Sequence, residues 1–579
     1  MRKSFLGASV FDLGRRVFLR SAPAGLATGM FSAVSAANMQ NERSWSETLA
    51  CAESLSELEF TEVERDLMRS VVEHNRRRFS VLRSVEIASD VEPAIQFRPA
   101  RPGWRSLGGA TPNAEQPFDR PQPIRVPETF EDLAFAPVTV LATLLERRRI
   151  TSTDLTRMYL SRLKRFGPKL RCVVTLTEEL ALQQARDADR EISSGRYRGP
   201  LHGIPWGSKD LLATRGIRTT WGARPYEDQV IDRDATVVQR LREAGAVLVA
   251  KLSMGALARG DIWFGGMTRN PWDLTRSSSG SSAGSGSATA AGLVAFAIGT
   301  ETLGSIISPA ATCGVAGLRP TYGRVSRNGA MALSWTMDKI GPMCRTVQDC
   351  VLVFNAIYGP DDRDNSVIDA PFLWNPNRNP SNFRIGYLAS EFDGLDIDES
   401  SARRIGEEQQ STLRTAIDVF RNAGVTLEPV ELPQFPADSL RIILSAESAT
   451  AFDDFTRSGE VGELTRQTVD AWPNHFRSSR HIPAVEYLRA QRARTLLLEE
   501  VEKIFVHYDA FVSPTRSASL TVTNLTGHPA LTLKAGFVNG LPVGLMITGR
   551  LYDEATILEL ARLYERRTSW HLSHPQDFV

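Results

Sequence analysis

The residues able to do chemistry concentrate in one stretch, 277–309, SSSGSSAGSGSATAAGLVAFAIGTETLGSIISP. Its many small residues would suit a flexible linker. However, the apolar, strand-like GLVAFAIGT (292–300) lies inside it, and GVAGLRPTYG (314–323) follows, so packed structure is expected. No Gly-Lys-Ser/Thr occurs there, which excludes a phosphate-binding P-loop. Gly280-Ser281-Ser282-Ala283-Gly284 does match the nucleophile elbow G-x-S-x-G, which would make Ser282 a nucleophile. That reading needs an acid and then a histidine downstream. His475, His481, His507, His528, His571 and His574 all follow, so residue inventory leaves it open. Upstream, LHGIPWGSKD (201–210) carries Lys209, which on its own would read as an ordinary surface lysine.

Taken together, these segments resemble the amidase signature family. SGSSAGSGSATAAGLVAFAIGTETLGSIISPAATCGVAGLRPTYGRVS is similar to that family's G-G-S-S-G-G-S, G-T-D-T-G-G-S-I-R and C-G-V-x-G-L-K-P-T elements. LHGIPWGSKD resembles its H-G-I-P-x-x-x-K-D element, and NLTGHPALTLKAGFVNGLPVGLMITG its closing strands. The likeness runs from about Val126 to Val579, with three separated motifs in the family's order. It implies a nucleophile at Ser305, a bridging serine at Ser281, 24 residues earlier, and a base at Lys209. This assignment sets Ser282 aside.

The implied chemistry is coherent. A serine hydroxyl attacks a carbonyl poorly unless a base removes its proton. An exposed lysine, with a pKa of about 10.4, is protonated near neutrality. Burial disfavours the ammonium and yields a neutral amine able to act as base. A hydroxyl between the two can donate and accept at once, and the relay run backwards protonates the leaving amine. No metal, cofactor or histidine is required. His202 in the same element is read as a structural donor rather than a base. The resemblance also implies that the backbone N–H groups of Thr302, Leu303, Gly304 and Ser305 cradle the oxyanion, where one lost donor costs on the order of 10²–10³ in rate.

The chain departs from the family pattern at several points. Glu301 stands where Asp is usual, Leu303 where a second Gly is usual, and Ile307 where the arginine of G-G-S-I-R is usual. Ala283 replaces a Gly, and the stretch between VSPTR and NLTGHPA is short. Leu303 keeps its N–H, so the oxyanion cradle survives if that residue uses negative φ. Ile307 removes a guanidinium from beside the nucleophile loop.

Helical and strand patterns alternate around these motifs. DATVVQRLREAG (234–245) is an amphipathic helix stopped by Gly245, and it leads into the apolar strand AVLVAK (246–251). RIGYL (384–388) and DAFVSP (509–514) also read as strands, with helical stretches between them. The expected fold is α/β, a single large domain with a mixed, mostly parallel central sheet covered by helices on both faces. Residues 129–579 form that domain, with a helical insertion at about 398–505 that departs most from the shared motifs and is the expected source of specificity. In it, Trp472, His475 and Phe476 of AWPNHFR could line a pocket mouth or belong to the core.

Residues 38–128 read as an N-terminal helical extension and a linker. TEVE (61–64) is a capping box opening a helix to about Ser84, expected to pack on the main domain, and residues 93–127 are proline-rich. Residues 1–37 combine GRRVFLRS, a weakly apolar APAGLATGMFSAV and the small residues SAVSAAN. That order reads as a twin-arginine-type export signal and an exported, periplasmic or secreted protein.

Composition completes the frame. The 579 residues are 42% hydrophobic and 23% charged, with Lys+Arg 68 against Asp+Glu 67, a net charge of +1. This balance gives no footprint for nucleic acid, and no segment reaches the length of a membrane span. The five cysteines lack C-x-x-C spacing; Cys344 and Cys350 could pair, but all five read as small buried hydrophobes. The leading functional expectation is an exported hydrolase that cuts a small-molecule carboxamide to acid plus ammonia or amine, with homo-oligomerisation open. The alternatives are one component of a glutamine-dependent transamidase acting on charged tRNA, and a non-catalytic relative on the same scaffold.

Overall fold

The computed structural model describes residues 44–88, 91, 93–95, 129–392 and 406–579. The expected export segment therefore lies outside the described residues, as does most of the proline-rich stretch. The chain divides into two units, 1–59 and 60–579. In the first, a helix spans Trp45–Leu55 behind a capping box in which Ser44 accepts from the N–H of Glu47.

The second unit is a large α/β domain built on eleven strands. In chain order these are β1 Val173–Leu176, β2 Pro205–Lys209, β3 Val247–Leu252, β4 Phe296–Glu301, β5 Ala316–Arg319 and β6 Lys339–Cys344. They continue as β7 Arg384–Leu388, β8 Thr426–Val430, β9 Ala510–Pro514, β10 Ala530–Val538 and β11 Leu541–Gly549. Across the sheet the order is β1-β3-β2-β4-β6-β5-β10-β11-β9-β7-β8. The sheet is mixed, as expected, but the expectation of mostly parallel pairing is corrected here: six of the ten neighbouring pairs are antiparallel. Two antiparallel blocks and the edge pair β1–β3 cause this. One is β4-β6-β5, and the other is the β10–β11 hairpin with its neighbours, closed by Asn539 (φ 51°) and Gly540 (φ 75°). Both turn residues sit at positive φ, the conformation that a two-residue hairpin between twisted strands requires. Parallel pairing is confined to β3-β2-β4 and β9-β7-β8.

β7 covers the expected residues, 384–388. The helix before β3 spans Thr236–Glu243. Within about 398–505, however, the structure places the edge strand β8 as well as helices. The main apolar core includes Trp206 and Phe296, whose rings stack with centroids 6.1 Å apart.

The capping box at Thr61 is formed, and its helix runs Glu62–Ser84. Phe79 and Leu82 pack into a cluster with Ile442, Ala490, Ala493 and Leu497. Arg78 pairs with Asp438 at 3.0 Å, and Arg489 Nε donates to the carbonyl of Leu82 at 2.9 Å. Cys172, Cys313, Cys344 and Cys350 are buried thiols without disulfides, whereas Cys51 is exposed, contrary to the uniform expectation.

Candidate active site

The site is assembled where β2 and β4 end side by side. Lys209 is the last residue of β2, and Thr300 and Glu301 are the last two of β4. Strand ends expose backbone and side chains that no ladder consumes, so chemistry collects there. Lys209 is fully buried, and its Nζ lies 2.8 Å from Ser281 Oγ and from Thr300 Oγ1. Ser282 Oγ is 3.0 Å away and the Thr300 carbonyl 3.2 Å. Burial pulls the Lys209 amine down to about 7, with Asp338 and Glu301 opposing the shift. Near neutrality a large fraction is then the free amine.

Ser281 and Ser282 are neighbours with different situations. The Gly280–Ser281 peptide is cis. Ser282 Oγ accepts from Lys209 and from the Thr300 N–H at 3.1 Å, and donates to the Thr300 carbonyl at 3.1 Å. Both lone pairs and the proton are thereby used, all within the protein interior. That saturation argues against the nucleophile elbow at Ser282. Ser281 Oγ keeps capacity beyond its contact with Lys209.

Ser305 precedes the helix Ile307–Cys313 and is half-buried. Its carbonyl accepts from the N–H of Ser282 at 3.1 Å, which ties the Ser305 loop to the residue after Ser281. Among the described residues, the N–H groups of Leu303, Gly304 and Ser305 have no protein acceptor outside regular ladders. Gly304 has φ +90°, whereas Leu303 is not among the positive-φ residues. The condition for tolerating Leu303 is therefore met, and only Gly304 needs the conformation that glycine allows.

Several residues that hold the site were not legible as such in the sequence. Glu301 is buried, and its Oε2 accepts from the N–H of Ile306 at 2.7 Å and of Ile307 at 2.8 Å. Its Oε1 accepts from Arg319 Nη1 at 2.9 Å and Asn524 Nδ2 at 2.8 Å. Burial would raise this carboxyl, but Arg319 and the Ile307 N–H outweigh it and hold it below the ordinary range. The guanidinium that Ile307 lacks is thus supplied to the loop by Arg319, through the carboxylate. Ile307 instead packs in a small apolar cluster with Ala530 and Met546.

Asp210, next to Lys209, accepts from the Thr220 N–H at 2.9 Å and pairs with buried Lys251 at 3.2 Å. Thr302 Oγ1 donates to Asp338 at 2.6 Å. Thr300, Thr302, Asp338, Leu211, Met331 and Trp335 are among the walls of an adjoining cavity of about 260 Å³.

His202 is buried, its Nδ1 accepting from the Arg198 N–H at 3.1 Å and its Nε2 lying 3.3 Å from Glu191. These contacts tie the ring to the neighbouring backbone and to Glu191. Trp472 and Phe476 are buried and stacked, with centroids 4.9 Å apart, and the Trp472 indole donates to the Leu257 carbonyl at 2.8 Å. Among the described residues, no group of three or more His, Cys, Asp or Glu side chains is arranged to hold a metal ion, and no helix is long and apolar enough to cross a membrane.

Comparison with known proteins finds relatives in sequence and in fold. A family model described as Amidase matches residues 154–520. The chain is 35% identical over 485 residues to a glutamyl-tRNA(Gln) amidotransferase subunit from Methylococcus capsulatus, across 75% of this chain and 97% of that relative. It superposes on the native peptide amidase of Stenotrophomonas maltophilia with TM-score 0.66 and 31% identity, covering 76% of this chain and 98% of the other. A bacterial aryl acylamidase shares the fold, with TM-score 0.67 at 22% identity, over 76% of this chain and 97% of that one. These matches correct the expectation of export. The curated relatives matched are glutamyl-tRNA(Gln) amidotransferase subunits, named for a transfer RNA.

Proposed function

The chain belongs to the amidase family, enzymes of amide C–N chemistry, and from that premise we propose that it cleaves a small-molecule carboxamide through an acyl-enzyme on Ser305. The observation that carries this reading is the buried Lys209 amine, brought to about 7 and set 2.8 Å from Ser281 Oγ. As Ser305 Oγ attacks the amide carbon, its proton passes to Ser281, which gives its own proton to the Lys209 amine. The oxyanion is received by the N–H groups of the 302–305 turn, donors already in place when charge develops. The proton then returns through Ser281 to the leaving nitrogen. Ammonia or an amine departs, and water hydrolyses the ester by the same relay to give the acid. On this reading residues 129–579 are the catalytic domain, and the segment at about 398–505 shapes substrate choice.

Purified full-length protein assayed against primary alkyl, aryl, fatty and peptide C-terminal amides tests this. Turnover is expected on at least one class and should vanish in a folded Ser305→Ala variant. Undiminished turnover in that variant would overturn the role of Ser305.

The curated relatives favour a second reading of the same chemistry, in which the chain is the amide-cleaving component of an assembly that passes nitrogen to charged transfer RNA. Supporting it, the match extends over nearly the whole relative. Under this reading ammonia release by the isolated chain is slow and rises with partner proteins and glutamyl-tRNA. Native mass measurement of the chain drawn from its own cell, with ammonia assays with and without that tRNA, separates the two readings.

A further inference from the structure

The loop Gly255–Asp261 is part of the wall around Ser281. The N–H of Gly255 donates to the Ser281 carbonyl at 3.3 Å, and a Cβ placed on Gly280 would lie 1.8 Å from the Gly260 carbonyl oxygen. Two consecutive non-glycine residues in this loop, Leu257 (φ 49°) and Ala258 (φ 63°), occupy the left-handed region. Such conformations are costly and persist only where surrounding structure imposes them. Here Leu257 is held at both ends: its N–H donates to the Trp221 carbonyl at 2.9 Å, and its carbonyl accepts from the Trp472 indole at 2.8 Å. Ala258 lines the 260 Å³ cavity that also includes Thr300, a partner of Lys209. Arg259 is the next residue.

Arg259 is half-buried, its guanidinium 4.8 Å from the centre of the Trp472 ring. Among the described residues, this guanidinium has no ion-pair or hydrogen-bond partner. Asp470 acts on it electrostatically but is already bonded to Arg466 at 2.7 Å and Thr468 at 2.6 Å. Arg441 and Arg466 add charge of the same sign. His475 on the same helix as Trp472 is neutral, since burial and Arg259 pull it to about 3. The structure thus holds a half-buried cation 4.8 Å from the centre of an aromatic ring, its donor N–H groups unused, on the residue that follows Ala258 of the cavity wall. A guanidinium in that state matches a planar carboxylate, which it can bind through two parallel hydrogen bonds.

We propose that Arg259 is the specificity residue of this site, binding a carboxylate carried by the amide substrate and thereby orienting its carbonyl toward Ser305. This rests on the amide-cleaving reading given above, and it narrows the substrate class to amides bearing an anion.

The test compares ω-carboxyamides from malonamate to adipamate with uncharged alkyl amides of equal length. Wild-type protein is expected to prefer the anionic member of at least one pair by roughly tenfold or more in kcat/KM. In Arg259→Leu that ratio should fall by about the same factor, and Arg259→Lys should keep part of it. Equal turnover of charged and uncharged amides by the wild type, or an unchanged ratio in Arg259→Leu, would overturn the inference. Cleavage of neither class is instead a failure of the amide-cleaving reading. Calorimetric titration of glutarate then decides the inference alone. Binding weakened roughly tenfold in Arg259→Leu supports it, while a wild type that binds no dicarboxylate refutes it.

Discussion

Lys209 Nζ and Ser281 Oγ stand 2.8 Å apart with neither side chain open to solvent. On the proposed mechanism the consequence is chemical: desolvation supplies the free amine, and the adjacent hydroxyl gives it a proton to take. The same contact also orders the roles of the two adjacent serines, since Ser282 has spent its hydrogen-bonding capacity on Thr300.

Lys209 must be unprotonated to act as base, so kcat/KM should climb about tenfold per unit below a pKa of about 7 and level off above it. A profile flat through that region would refute Lys209 as the titrating base. Stability should respond in a defined direction too. Between about 7 and 10.5 the unfolded chain binds a proton on Lys209 that the folded chain lacks. The contribution of this residue therefore grows more favourable as pH rises through that window. Denaturation curves of wild type and Lys209→Met, taken along a pH series, isolate it.

Replacing the two serines should have unequal effects. Ser281→Ala interrupts the relay and is expected to cost on the order of 10²–10⁴ in kcat. Ser282→Ala leaves the relay intact and should act chiefly on stability, through the unpaired N–H of Thr300. A reversed ranking would restore the elbow at Ser282.

Gly304 at φ +90° is the point at which the proposed oxyanion turn depends on glycine. An added Cβ would also come within 3.1 Å of Leu520 Cδ2. Gly304→Ala should lower kcat by on the order of 10²–10³ with a smaller change in KM, since the displaced donors act on the transition state. Steady-state kinetics on any accepted amide provides the check.

The Glu301–Arg319 pair is buried on both sides, and breaking such a pair leaves an uncompensated charge worth about 3–5 kcal/mol. Glu301→Ala should lose that much stability and also free the N–H groups of Ile306 and Ile307, loosening the Ser305 turn. Glu301→Gln keeps acceptor and shape and is expected to lose less of both. Equal thermal midpoints for Glu301→Ala and wild type would show that the clamp contributes nothing to the fold.

The sequence by itself determined which residues could form the site and several of the elements that carry them. Lys209, Ser281 and Ser305 lie in short motifs whose order and spacing can be read along the chain. Likewise the capping box at Thr61, the strand at 384–388 and the helix stop at Gly245 depend on neighbours a few residues away. Tertiary structure decided everything that depends on approach between distant segments. Glu301 meets Asn524, and Arg259 meets Trp472, across more than two hundred positions, so no local pattern announces either contact. Strand direction is hidden from local sequence for the same reason. Alternation of helix and strand suggests parallel crossovers, while the antiparallel blocks arise from long-range pairing, such as β10 with β5. The reactivity of Lys209 is likewise a tertiary property: its type and position can be read in the chain, but the desolvation that frees its amine exists only once the strands close around it.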